Sequence, residues 1–210
     1  MKTSPYLSLL SMFFWLGMFC LLVSFKADSV YKNGSSMLHW RVLPSSFISI
    51  KGSSNVNTFG CMASGALSTQ PLKGMIPKNG KGVNMEGFIR IDINQFDCGN
   101  RMLTSDLRKT LNADQHPQMT IHFVWLDRMP VCDGGDDLIT GRVLIELAGQ
   151  RKSFYLKYAF SKTTTGYKLE GSKAFTFADF DLSPPKKIGG LVKVKDDFDV
   201  AFTLILDSCK

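Results

Sequence analysis

The sequence predicts an all-β protein of eight antiparallel strands, with one helix inserted between the third strand and the fourth. Three observations carry this. Apolar and polar residues alternate along most of the chain, most cleanly at Phe198, Val200, Phe202, Leu204 and Leu206, with Asp197, Asp199, Thr203 and Asp207 among them. A period of two means a strand with one dry face and one wet one. Short turns join most of the runs, which makes neighbours antiparallel. One stretch breaks the pattern: Leu103, Leu107 and Leu111 recur every fourth residue, as a helix requires. Eight strands permit a sandwich or a closed barrel, and only the barrel leaves no unpaired edge. Its interior would be filled by side chains or would hold one small ligand.

The elements follow in order. Residues 30–44 are polar and turn-rich and read as a flexible lead-in. Phe47 to Lys51 opens the first strand, and the second runs from Val56 to about Leu67. The Gly-, Pro- and Lys-rich stretch 71–82 reads as a long loop. The third strand, Met85 to Phe96, puts Ile89, Ile91 and Ile93 on its dry face. Asn100 caps the helix, and the pattern stops at Gln115-His116-Pro117. The fourth strand turns Met119, Ile121, Phe123 and Trp125 inward and Thr120 and His122 outward. A turn at Cys132-Asp133-Gly134-Gly135-Asp136 leads to the fifth, with Ile139, Val143, Ile145 and Leu147 inward. Gly149-Gln150 turns into the sixth, carrying Phe154, Leu156, Tyr158 and Phe160; the seventh carries Tyr167, Leu169, Phe175 and Phe177. That strand stops by Pro184-Pro185, since neither proline can donate to a ladder. Gly189-Gly190 turns the chain into the eighth.

The net charge of +7 comes from lysines and arginines scattered among the strands, without a basic-and-aromatic motif for nucleic acid. Lys2 followed by the apolar run Tyr6 to Val23 and the small residues of Ala27-Asp28-Ser29 outlines a secretory signal over 1–29. The run is also long enough to anchor the chain, so anchored or peripheral membrane association stays open beside cleavage. Met18-Phe19 before Cys20 argue against lipidation. An exported chain with Cys61, Cys98, Cys132 and Cys209 points to two disulfides, and the absence of any C-x-x-C pair speaks against zinc. The histidines, His39, His116 and His122, fall into no nucleophile–base order, and Asp133, Asp136 and Asp137 lack calcium-loop spacing. No enzyme, metal or cofactor is expected from these residues.

Ile50 to Cys61, Phe96 to Met102, His116 to Phe123, Thr140 to Lys152, and Asp179 to Leu182 with Pro184-Pro185 together resemble the YceI-like family of lipocalin-like, polyisoprenoid-binding proteins. The resemblance covers residues 45–210. It implies a periplasmic or secreted eight-stranded lipocalin-like barrel whose interior takes an isoprenoid, a quinone tail or an acyl chain. The candidate lining is then Ile89, Ile91, Ile93, Ile121, Phe123 and Trp125, continued by Val143, Ile145, Phe154, Leu156, Tyr158 and Phe160. Leu169, Phe175, Phe177, Val200 and Phe202 complete it, and Tyr158 or Tyr167 is available for a polar head. The four cysteines and the Pro-Pro depart from the family's commoner pattern. The alternative is an exported structural or interaction barrel with a filled core. Strand directions set Cys61 and Cys98 on one rim and Cys132 and Cys209 on the other, so the expected pairs are Cys61–Cys98 and Cys132–Cys209.

Overall fold

The computed structural model describes residues 37–207 apart from 65–66, 133–134 and 188–190. The described strands are β1 (Met37–Trp40), β2 (Phe47–Ser54), β3 (Thr58–Ser64), β4 (Ser68–Thr69), β5 (Leu72–Met75), β6 (Val83–Glu86) and β7 (Phe88–Asp92). After the helix α1 (Arg101–Thr110) come β8 (Gln118–Leu126), β9 (Asp137–Leu147), β10 (Gln150–Lys162), β11 (Tyr167–Thr176), β12 (Lys186–Lys187) and β13 (Val192–Leu206). They form one curled antiparallel sheet in the order β1-β5-β6-β8-β9-β10-β11-β13-β2-β3, with β4 on β7, β7 on β8 and β12 on β13.

Thirteen described strands replace the eight expected, because long runs bend. Gly87, at φ 119°, separates β6 from β7, and a Cβ there would lie 2.7 Å from the Pro71 carbonyl oxygen. Opposite it, β8 bulges: Phe123 faces Val143, but Trp125 faces Arg142. One extra residue reverses strand parity. Trp125, expected inside, therefore shares a face with Arg142, while Leu126 takes the buried place.

Three other expectations change. The lead-in 30–44 is not flexible over its described part: β1 pairs with β5 and buries Leu38 and Trp40. The expected loop 71–82 contains β5 itself. Thr120 keeps its outward parity but is 7% exposed, since its register partners Arg90 and Glu146 carry long side chains beside it. The helix, expected between the third strand and the fourth, lies between the seventh and eighth described strands, after the run that ends at Asp92 and before the one that begins at Gln118. The turn at Gly189-Gly190 lies outside the described residues.

The remaining alternation holds. Burial along β9 follows every second residue from Ile139 to Leu147, and the β9–β10 register runs unbroken from Leu147–Gln150 to Asp137–Phe160. The two-residue connection needs left-handed backbone at both positions, and Ala148 and Gly149 supply φ values of 50° and 81°. At the far end of β10, Phe160 is stacked between Trp40 (5.6 Å between centroids) and Tyr167 (5.2 Å). Val42 bridges to Leu206 nearby, and the Leu43 N–H donates to the Ile205 carbonyl at 2.7 Å. This end of the sheet is solid.

Phe123→Asp should cost about 4 kcal/mol or more, because it places an unpaired carboxylate in the apolar interior. Thr120→Asp should cost about 1–2 kcal/mol, through its covered position rather than its face. Urea denaturation of both variants checks the pair.

Candidate ligand-binding cavity

Helix α1 begins where the Asn100 carboxamide accepts the Met102 and Leu103 N–H groups at 2.8 and 3.3 Å. It ends with Arg108 and Lys109 in its last turn, where cations favour the exposed carbonyls. None of its residues is fully buried. The helix is instead held at its flanks. Cys98 is joined to Cys61 of β3, Met62 and Asp97 exchange backbone hydrogen bonds, and the Arg108 guanidinium donates to the Asn94 carbonyl at 2.6 Å.

Between α1 and the sheet lies a cavity of about 100 Å³. Its apolar lining comes from Ile50, Phe59, Cys61, Leu103, Leu107 and Phe177, with Pro185, Val192 and Val194 beside them. Ser54, Asn57, Asp106 and Thr110 supply its polar atoms. The β2–β3 turn is closed locally, since the Ser54 hydroxyl donates to the Asn57 side-chain oxygen at 2.8 Å. Leu103 and Leu107 are one turn apart on α1 and face the sheet together.

The expected lining residues divide. Phe177 lines the cavity, from a 3-10 turn (Phe177–Phe180) rather than from a strand. A reciprocal cap starts that turn: Thr176 accepts from the Asp179 N–H at 3.3 Å, and Asp179 accepts from the Thr176 N–H at 2.7 Å. Ile89, Ile91, Ile93, Phe123, Val143 and Ile145 pack within the buried core, as do Leu156, Tyr158, Phe160, Leu169 and Phe175. Ile121, Phe154, Val200 and Phe202 are half-buried against that core. Trp125 is on the other face. Ile50, Phe59, Leu103, Leu107, Val192 and Val194 were not expected as lining. The leucines were visible as a helical stripe, but what the stripe covers depends on how the chain ends meet.

Among the described residues, the Tyr158 hydroxyl and the Trp40 indole N–H are two of several buried polar groups without a hydrogen-bond partner. Burial pushes the Tyr158 hydroxyl far above its ordinary range. Lys173 is a further polar group that the sequence reading passed over. It shares the strand face of Leu169 and Phe175, and its Nζ lies 5.7 Å from the Phe154 ring centroid and 5.5 Å from that of Phe175. Among the three histidines, His122 meets Glu146 on the outer face (Nε2–Oε1 3.3 Å) and His116 lies against Gly149. Among the described residues no group of three His, Cys, Asp or Glu side chains is placed to hold a metal ion.

Cys61–Cys98 has its Cα atoms 3.9 Å apart and closes 37 residues of chain. Cys132 is disulfide-bonded, and Cys209, its expected partner, lies outside the described residues. Residues 128–131, just before Cys132, are tied to Asp137, which accepts from Arg128 Nη1 at 2.8 Å and from the Val131 N–H at 2.9 Å. The Arg128 guanidinium holds the Asp137 carboxyl below its usual range.

The family model described as YceI-like domain matches residues 47–206. Among solved structures the chain is similar to BcnA of Burkholderia cenocepacia, with 16% identity and a TM-score of 0.59 over 79% of this chain and 99% of that one. It is similar also to a polyisoprenoid binding domain from Saccharophagus degradans implicated in plant cell wall breakdown, with 14% identity and a TM-score of 0.58 over 81% of this chain and 98% of that one. At such identities the likeness is one of fold. The comparison with curated proteins found no match.

Replacing Cys61 and Cys98 together by alanine should lower the unfolding free energy by about 2–4 kcal/mol, the chain-entropy range for a loop of this length. Guanidinium titration under non-reducing conditions measures it.

Proposed function

The chain belongs to the YceI-like domain family, and from that membership and the apolar cavity under α1 we propose that it is an exported protein that binds a long apolar ligand. The single observation that carries the reading is the position of the cavity. It lies on the inner face, beneath a helix that buries no residue completely, at the end opposite the Trp40–Phe160–Tyr167 stack. Ligand pockets commonly measure about 300–1,000 Å³. A chain therefore enters only as α1 lifts away from the sheet, and the half-buried Leu107 makes that lift inexpensive. Apolar burial then supplies affinity at about 25 cal/mol per Å². The class of ligand, an isoprenoid or acyl chain, is carried over from the polyisoprenoid binding domain that shares the fold.

Three further features accompany this reading. β3 pairs with β2, β4 with β7 and β5 with β6, which supports a curled, lipocalin-like barrel. The Cys61–Cys98 bond supports an oxidising compartment, in line with a cleaved signal over residues 1–29. Cys132 and Cys209 form the second bond.

A filled core is the rival reading, and the small volume of the cavity favours it. Organic extraction of the exported protein followed by mass spectrometry separates the two. The proposal expects about one apolar chain per protein molecule, and Leu107→Trp should lower uptake of a fluorescent prenol about tenfold by filling the cavity. A clean extract together with no prenol uptake overturns it.

A further inference from the structure

β10 and β11 pair only over residues 158–162 and 167–171. Beyond that point residues 150–157 stay with β9 and residues 172–176 stay with β13. The two strands part, and a seam opens in the sheet. Three rings fill it: Phe154, Phe175 and Phe180 stand with centroids 5.0, 5.7 and 5.7 Å apart. Lys173 points to this group from the inner face, its ammonium against the rings of Phe154 and Phe175. Lys152, also at the seam, is tied to Asp181 at 3.3 Å. Lys173 makes no ion pair among the described residues.

A half-buried lysine on the face of Leu169 and Phe175, with its ammonium against two phenylalanine rings, is an unusual thing to keep. The rings attract it through their quadrupoles, but they do not neutralise it. From Lys173 the aromatic surface continues toward the cavity. Phe175 stacks on Phe198 at 6.0 Å, Phe198 meets Phe177 at 5.0 Å, and Phe177 lines the cavity. A ligand chain seated under α1 and along these rings would bring its head to Lys173 at the seam.

We propose that the ligand is an anionic amphiphile, and that Lys173 binds its carboxylate or phosphate head. Lysine suits this role as a point charge with three donors, indifferent to which acid it meets. The inference rests on the apolar-ligand reading and adds the charge of the head to it.

The test is the affinity of the full-length protein for oleate, oleyl phosphate and oleyl alcohol, each below its aggregation concentration, with Lys173→Met and Lys173→Arg measured beside the wild type. The wild type should bind at least one of the acids about tenfold tighter than the alcohol, a ratio expected of a charge-assisted contact. In Lys173→Met the ratio should fall to about one; in Lys173→Arg it should persist. A preference for oleate alone or for oleyl phosphate alone supports the proposal and identifies the head. Equal affinity of the wild type for acid and alcohol, or a preference that survives Lys173→Met, overturns the proposal and leaves the apolar-ligand reading standing. If none of the three binds, both fall.

Discussion

The stack of Trp40, Phe160 and Tyr167 decides where this molecule is solid, and so where it is hollow. Phe160 sits between two nearly parallel rings, one brought by β1 and one by β11. Trp40 and Phe160 are buried together with Leu38, Val42 and Leu206, and Arg41 is clamped to Asp207 outside them (Nε–Oδ2 2.6 Å). Large aromatic side chains fill volume at low conformational cost, and a close-packed interior leaves no room for a ligand there. What room exists must lie at the other end of the strands, where β2, β11 and β13 reach α1.

At that end the packing is different in kind. Helix α1 contributes leucines without burying any of them completely, and it is fastened at its flanks rather than along its length. The disulfide and the Arg108–Asn94 contact fix where the helix is, while its contact with the sheet is apolar and incomplete. Weak contact under a tethered element is what lets a small cavity enlarge without unfolding its surroundings. The same end carries the seam between β10 and β11, so the hollow part of the molecule is also the part where the sheet comes apart.

Much of the fold was legible because strand periodicity is a local property. Ile139 to Leu147 and Phe198 to Leu206 needed no knowledge of their neighbours, and the order of the family-like segments agreed with them. Trp125 was misread because a bulge inserts one residue without leaving a glycine or proline to mark it, and every later position in the strand changes face. Trp40 was missed although Leu38, Trp40 and Val42 alternate; the polar residues around them outweighed three apolar ones. The cavity was hardly legible at all. Its lining joins a helix, a hairpin turn, a 3-10 turn and two strand ends that are far apart in the chain, and of its residues only Phe177 stood among the expected lining. Lys173 could have been found by strand parity, two residues before Phe175, had a cation been admitted on the dry face.

Photochemical labelling with an oleyl alcohol that carries a diazirine near the middle of its chain tests the central claim most directly, since it reports where a bound chain lies. The account predicts adducts, removed by unlabelled alcohol, on the peptides bearing Leu103 and Leu107, Phe59, and Val192 to Val194. Competable adducts confined to outward-facing residues of β9 and β10, or no competable adduct at all, would contradict it.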